Sequence, residues 1–331
     1  MDLHRLEQRV VEAVNHPLWT LVRKEMTDHM KSFRFNILMG IILLTTLGSL
    51  YTALSTIRDA ASSIEDADQW FLYLQMLTIT DEEGTLYPFI TFVSFLGPLL
   101  GIGMGFDAIN SERNKNTLIR MMSQPIPRDS IILAKFLAAL IIISVFIFFL
   151  GFLVIGLGLM FMGIPPSFGE FIRVTAYLVM IMIYISFWLS LSILFSIRFK
   201  QAATSALAGI AVWLFFTVFY TIIVNLIVNA SMPDQLFQTV ENQQQNQELL
   251  TSLMRISPNY LFSEITMVLL TPSFRPLGPI SMEQMVGYVP SPLDLIQSLT
   301  MIWPQVMGIL AAALVCFAIS YLIFMRQEIR S

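Results

Sequence analysis

The residues best placed to do chemistry lie in one charged segment, 107–130, set between two long apolar stretches. It carries Glu112, Arg113, Arg120 and Arg128, opposite charges a few helical turns apart, with Leu118 as an apolar side chain among them. Ser111 before Glu112 is a helix start, and Pro125 ends the helix. A short helix of this kind suits ion pairs with a docked partner and an apolar anchor beside them. The plainer reading is a solvated loop whose charges only hold the topology of the chain.

Catalysis finds no such support. His4, His16 and His29 all precede the first apolar stretch, so the apolar stretches hold no Ser-His pair and no His-rich metal site. Cys316 stands alone inside an apolar run, where it acts as a small hydrophobe. Aspartyl chemistry inside a membrane needs two aspartates sharing a proton, and Asp107 after Gly105 has no second. No Gly-x-x-x-x-Gly-Lys-Ser/Thr loop is present to cradle nucleotide phosphates. The 20 methionines are scattered and never joined by Cys or His, so they read as packing residues rather than as a Cu(I) site. No catalytic residue, no metal site, no cofactor on this chain and no nucleic-acid partner are expected.

The elements that must position these residues follow from composition. Of 331 residues, 56% are hydrophobic and 13% charged, against about 45–50% and about 25% in a soluble domain. Mean hydropathy is +0.71, which excludes a water-soluble globule. A charge at the bilayer centre costs at least ~2.5 kcal/mol, so uncharged runs mark the spans. An all-α polytopic membrane protein with six transmembrane helices is expected, the spans at about 35–57, 85–106, 136–162, 174–197, 202–228 and 304–325. Residues 1–34 form an amphipathic arm and 35–331 the six-helix unit. In the arm, Leu3, Leu6, Val10 and Val14, then Leu18, Val22, Met26, Met30 and Phe33, recur at helical spacing opposite Arg23, Lys24, Asp28, Lys31 and Arg34. Such helices lie at the membrane interface, with Trp19 near the lipid headgroups.

Fifteen of the 19 Lys and Arg residues fall on the side of the N-terminus, against Arg58, Arg173, Arg255 and Arg275 on the other. The positive-inside rule then makes both termini and segment 107–130 cytoplasmic, in a multi-pass protein of the cell membrane. The outer loop 229–298 holds an apolar decamer too short to span, expected as a short helix near 259–271 with Glu264 on its wet side. The Asn/Gln run 242–247 reads as a solvated linker. Gly97, Gly101 and Gly105 recur every four residues and permit close helix approach. Thr217, Thr221 and Asn225 fall on one face of span five beneath Tyr220, where they either line a polar path or hydrogen-bond neighbouring helices.

The charged segment resembles that of the ABC-2 type permeases, the membrane subunits of ATP-binding-cassette exporters. The family pattern there is Glu, three residues, Gly-Thr-Leu, then Ser/Ala-x-Pro, an Arg three residues on, and a Lys at the next span. Glu112, Thr117, Leu118, Ser123, Pro125, Arg128 and Lys135 match it, with Asn116 in place of the usual Gly. The likeness extends to the Lys24-Glu25 pair before span one, the Ser257-Pro258 segment before span six and the tail from Arg326 to Arg330. It looks closest to the branch related to the copper-processing permease of denitrification.

The resemblance implies a permease that moves an unidentified substrate across the cell membrane by export. It implies a pairing of this chain with a second copy or a sister permease. It also implies two cytoplasmic ATPase subunits, which bind ATP and Mg and dock on a coupling helix built from Glu112, Arg113, Thr117, Leu118, Arg120, Pro125 and Arg128. A non-transporting membrane anchor or assembly scaffold is the alternative.

Overall fold

In the computed structural model the described residues are 17–63, 72–78, 88–115, 117, 127–230, 240–271 and 294–327; all the regular structure among them is helical. The chain order is α1 (Pro17–Lys31), α2 (Phe33–Ser63), α3 (Leu72–Thr78), α4 (Phe89–Gly105), α5 (Asn110–Asn114), α6 (Arg128–Met162) and α7 (Phe168–Arg198). Then come α8 (Ala202–Leu214), a π-helical turn (Phe215–Phe219), α9 (Tyr220–Ala230), α10 (Val240–Met254), α11 (Pro258–Leu270) and α12 (Leu295–Arg326). Among the described residues six helices are long and apolar enough to cross a membrane: Phe33–Ser55, Phe89–Asn114, Arg128–Met162, Phe168–Arg198, Ala202–Ala230 and Leu295–Arg326.

Several helix ends are set by local chemistry. Helix α6 stops at Gly163, which takes φ 72° and donates its N–H to Leu159 O, a left-handed closure that glycine adopts without a Cβ clash. After Pro165 and Pro166, Ser167 caps α7 in a capping box with Glu170. The same Glu170 carboxylate accepts the Tyr73 backbone N–H at 2.9 Å, and Tyr73 Oη donates to Ile164 O at 2.6 Å, so the turn between α6 and α7 also seats α3. Helix α12 begins at Leu295 because the Asp294 side chain accepts the Leu295 N–H, and Pro304 is accommodated within the helix. Span six therefore starts well before residue 304, and the loop before it, expected to run to 298, ends at the Asp294 cap.

Helix α7 is the axis of the bundle. Tyr177, Ile181, Tyr184, Ile185, Trp188 and Leu189 along it are all fully buried. It packs against α4, α6, α8, α11 and α12. The glycine stripe of α4 lies on it. A Cβ at Gly101 would come within 2.9 Å of Ile185 O and 3.0 Å of Leu189 N, and one at Gly105 within 3.0 Å of Leu189 O; at Gly97 the nearest atom is an Ile185 side-chain carbon at 3.3 Å. Ser192 Oγ donates to Ile102 O at 2.9 Å across the same seam.

Helix α11 enters the bundle between α7 and α12, with Phe262 stacked on Tyr184 at 4.2 Å between ring centroids. At 13 residues it is about 20 Å long, short of the ~30 Å hydrocarbon core. The Asn/Gln run 242–247 is not a linker but part of α10. Tyr220, Val224 and Val228 of α9 share a small apolar cluster with Leu250, Leu253 and Met254 of α10, and this packing makes the polar run helical.

Candidate functional site

The charged groups at one end of the bundle converge on Lys135. The chain enters α6 from Pro127, so Lys135 stands two turns inside the helix, in a stretch that also buries Ser130, Ala134, Ala138 and Ala139. These small side chains permit the close approach of α1, which packs along α6. Lys135 is itself buried, at 4% exposure. Its Nζ donates to Glu25 Oε2 of α1 at 2.9 Å and to Glu112 Oε1 of α5 at 2.8 Å. Lys24 closes the group from the rim, 3.1 Å from Glu25 Oε1 and 3.9 Å from Glu112 Oε1. An ammonium taken out of water costs several kcal/mol unless carboxylates surround it, and here two do.

The ions alternate in sign, and the cluster's electrostatics follow. Burial alone would raise the Glu25 carboxyl, but Lys135 and Lys24 outweigh it and hold the group below its ordinary value. Burial lowers the His29 imidazole, in spite of the opposing pull of Glu25. Glu112 Oε2 is buried with no hydrogen-bond partner among the described residues.

Segment 107–117 is pinned to the ends of spans two and four as well. Ser196 Oγ accepts the backbone N–H groups of Ile109 at 2.9 Å and Asn110 at 3.2 Å. Arg113 donates to Phe199 O at 3.1 Å, and Asn114 to Lys200 O at 3.0 Å. Thr117 Oγ1 donates to Glu112 O at 3.2 Å. Arg34 pairs with Asp107 at 3.0 Å and lies over the Phe106 ring. Arg128 makes a long contact of 3.5 Å with Gln327 O, tying the start of span three to the end of span six. The helix in this segment opens at Asn110 and closes at Asn114. Leu118, Arg120 and Pro125 lie outside the described residues. Of the charges expected to face a partner, Glu112, Arg113 and Arg128 thus have contacts within the chain itself.

Deeper in the bundle, the polar residues of span five do not form one face. The π-helical turn Phe215–Phe219 inserts an extra residue into the helical register. Thr217 on that turn is half-buried and accepts from Asn259 Nδ2 at 2.7 Å, while Thr221 and Asn225 beyond it are exposed. Asn225 Nδ2 donates to Thr221 O at 2.9 Å, and Tyr220 Oη to Leu253 O at 2.6 Å. Tyr184 Oη donates to Asn259 Oδ1 at 2.8 Å, completing a polar chain from span four through α11 to span five.

Glu264 is not on a wet side of α11. It is 8% exposed, gripped by Arg255 at 3.1 Å and hydrogen-bonded by Gln305 Nε2 at 3.2 Å. Arg173 donates to Ser298 Oγ at 3.1 Å and to Leu269 O at 3.4 Å, holding the last turn of α11 against span six. The signal for Glu264 was its isolation in an apolar decamer. Its partners, 9 and 41 residues away, follow no helical period. Among the described residues no three His, Cys, Asp or Glu side chains converge as a metal site would require.

Among known protein families, a family model described as ABC-2 family transporter protein matches residues 19–329. No curated protein matches the chain.

Proposed function

From the premise that this chain belongs to the ABC-2 family of transporter proteins, we propose that it works as one of two permease copies, coupled to two cytoplasmic ATPase subunits, exporting its substrate by alternating access. Membership makes the chain the permease of an ABC transporter and a multi-pass protein of the cell membrane, in a family whose permeases associate with ATP-binding-cassette subunits. The finer points are inferences. ATP and Mg are held by the partner, and both termini and segment 107–130 face the cytoplasm, which the basic asymmetry supports. On the pattern from Glu112 to Lys135, the chain falls near the branch of the copper-processing permease of denitrification.

The observation that carries the coupling proposal is the ion group on Lys135. One buried ammonium ties the interfacial helix α1 and the coupling segment to the first turns of span three. An ATPase pushing on Leu118, Arg120 and Pro125 would then move α1 and span three with the segment rather than deform a loose loop. Pairing with a second copy through span five is supported by its unburied flank. In its most apolar stretch span five is only 17% buried, against 61% for span four. Thr221 and Asn225 on that flank are costly to leave against hydrocarbon, and they suit a subunit interface or a path beside it.

The test is purification of the tagged chain from its native membrane. An ATPase subunit recovered with it, with hydrolysis that depends on the permease, supports the proposal. Recovery of the chain with non-hydrolysing partners only would favour the scaffold reading.

A further inference from the structure

The outer side of α1 carries an arrangement that coupling does not use. Leu21, Val22 and Glu25 are buried, whereas Trp19, Met30 and the adjoining Phe33 are exposed at 47%, 63% and 77%. At about 100° per residue, Trp19, Arg23 and Met30 fall along one line of the helix, with Lys31 on its flank. Helix α1 holds two acidic residues, and both are occupied. Glu25 turns inward to Lys135 at 2.9 Å, and Asp28 lies 3.8 Å from Lys24. Arg34, the next cation along the chain, is paired with Asp107 at 3.0 Å. Arg23 and Lys31 are exposed and have no acidic partner among the described residues.

Two uncompensated cations therefore flank an apolar stripe where the chain turns into its first span, α2 beginning at Phe33. A soluble anion would neutralise the cations and leave Trp19, Met30 and Phe33 uncovered. An amphiphilic anion covers both. We infer that this side of α1 is a docking surface for anionic phospholipid. Headgroup phosphates meet Arg23 and Lys31, and acyl chains lie against Trp19 and Met30. A zwitterionic lipid offers the same chains without the net charge, so the surface distinguishes the two. This inference stands apart from the transport proposal, because it requires neither an ATPase nor a second copy.

The experiment uses the full chain in phosphatidylcholine vesicles containing the same minor fraction of either brominated phosphatidylglycerol or brominated phosphatidylcholine. Bromine quenches nearby indole fluorescence. The contribution of Trp19 is the difference between wild type and Trp19→Phe, since Trp70, Trp188, Trp213 and Trp303 also emit. Brominated phosphatidylglycerol should quench Trp19 at least about twofold more than brominated phosphatidylcholine, and the excess should vanish in Arg23→Gln/Lys31→Gln. Both side chains are exposed and have no acidic partner among the described residues, so the substitutions remove no contact within the bundle, and the wild-type comparison of the two lipids is decisive by itself. Equal quenching by the two lipids, or an excess that survives the double substitution, would overturn the inference. Absence of quenching by either would overturn it in favour of a protein occupant, residues 1–16 of this chain or an acidic surface of a partner.

Discussion

Lys135 holds its charge inside the protein only because Glu25 and Glu112 both reach it. Removing the ammonium strands two carboxylates, and breaking a buried pair from one side costs about 3–5 kcal/mol. Lys135→Met should lower the thermal unfolding midpoint of the purified chain accordingly, far more than Lys115→Met on the exposed end of the coupling segment. Glu112→Lys should also destabilise, because it sets a third cation against Lys24 and Lys135. Any docking loss in that variant has to be read beside its stability.

The same cluster sets a dependence on pH. Glu25 titrates below its ordinary value near 4.5, so its contribution is complete above that value and is lost as pH falls through the lower folded one. His29 is also held below its ordinary value, near 6.5. Folding therefore opposes its protonation, and stability declines as pH falls below that ordinary value. Thermal unfolding between about pH 7 and pH 5.5 should show this loss in the wild type and a smaller one in His29→Asn. An identical pH dependence in the two would remove His29 from the account.

At the scale of elements, the seam between α4 and α7 gives the sharpest expectation. A methyl at Gly101 meets the backbone of Ile185 and Leu189, which cannot swing aside as a side-chain tip would. Gly101→Ala should cost about 1–3 kcal/mol in thermal unfolding. Gly156→Ala on α6, where a Cβ meets nothing within 4 Å, should be neutral or stabilise by up to about 1 kcal/mol.

The stripe was legible in the sequence because a four-residue repeat on a helix fixes a face without knowledge of the partner. The six spans were legible because uncharged runs are set by composition. Other features depended on partners distant in sequence. Pro304 reads as a helix start only while the Asp294 cap is unseen. Glu264 reads as wet until Arg255 and Gln305 are brought to it. Thr217, Thr221 and Asn225 share a face on a regular α-helix but not across a π-helical turn, and no residue pattern in Phe215–Phe219 announces that turn. The Asn/Gln run became helical through its apolar neighbours Leu250, Leu253 and Met254 rather than through its own side chains. Within the coupling segment the residue types were legible. That Glu112 would face Lys135 was not, because the ion pair closes across 23 residues.

For the whole molecule, the 15 basic residues assigned to one side make orientation testable directly. In a Cys316→Ala background, a cysteine at Asn114 should be shielded from an impermeant thiol reagent in intact cells and labelled after lysis, while one at Gln244 should be labelled in both. Reversal of that pattern would place the coupling segment outside, beyond reach of ATP.

In the proposed coupling, an ATPase docks on segment 107–130 and drives the bundle from there. The direct measurement is the affinity of the native ATPase subunit for the purified chain and for Leu118→Asp, which puts a charge where the proposed docking needs an apolar side chain. Affinity should fall about ten- to a hundredfold, on the order of 1–3 kcal/mol, with the unfolding midpoint unchanged and permease-dependent hydrolysis reduced. Wild-type affinity and wild-type hydrolysis in Leu118→Asp would contradict it.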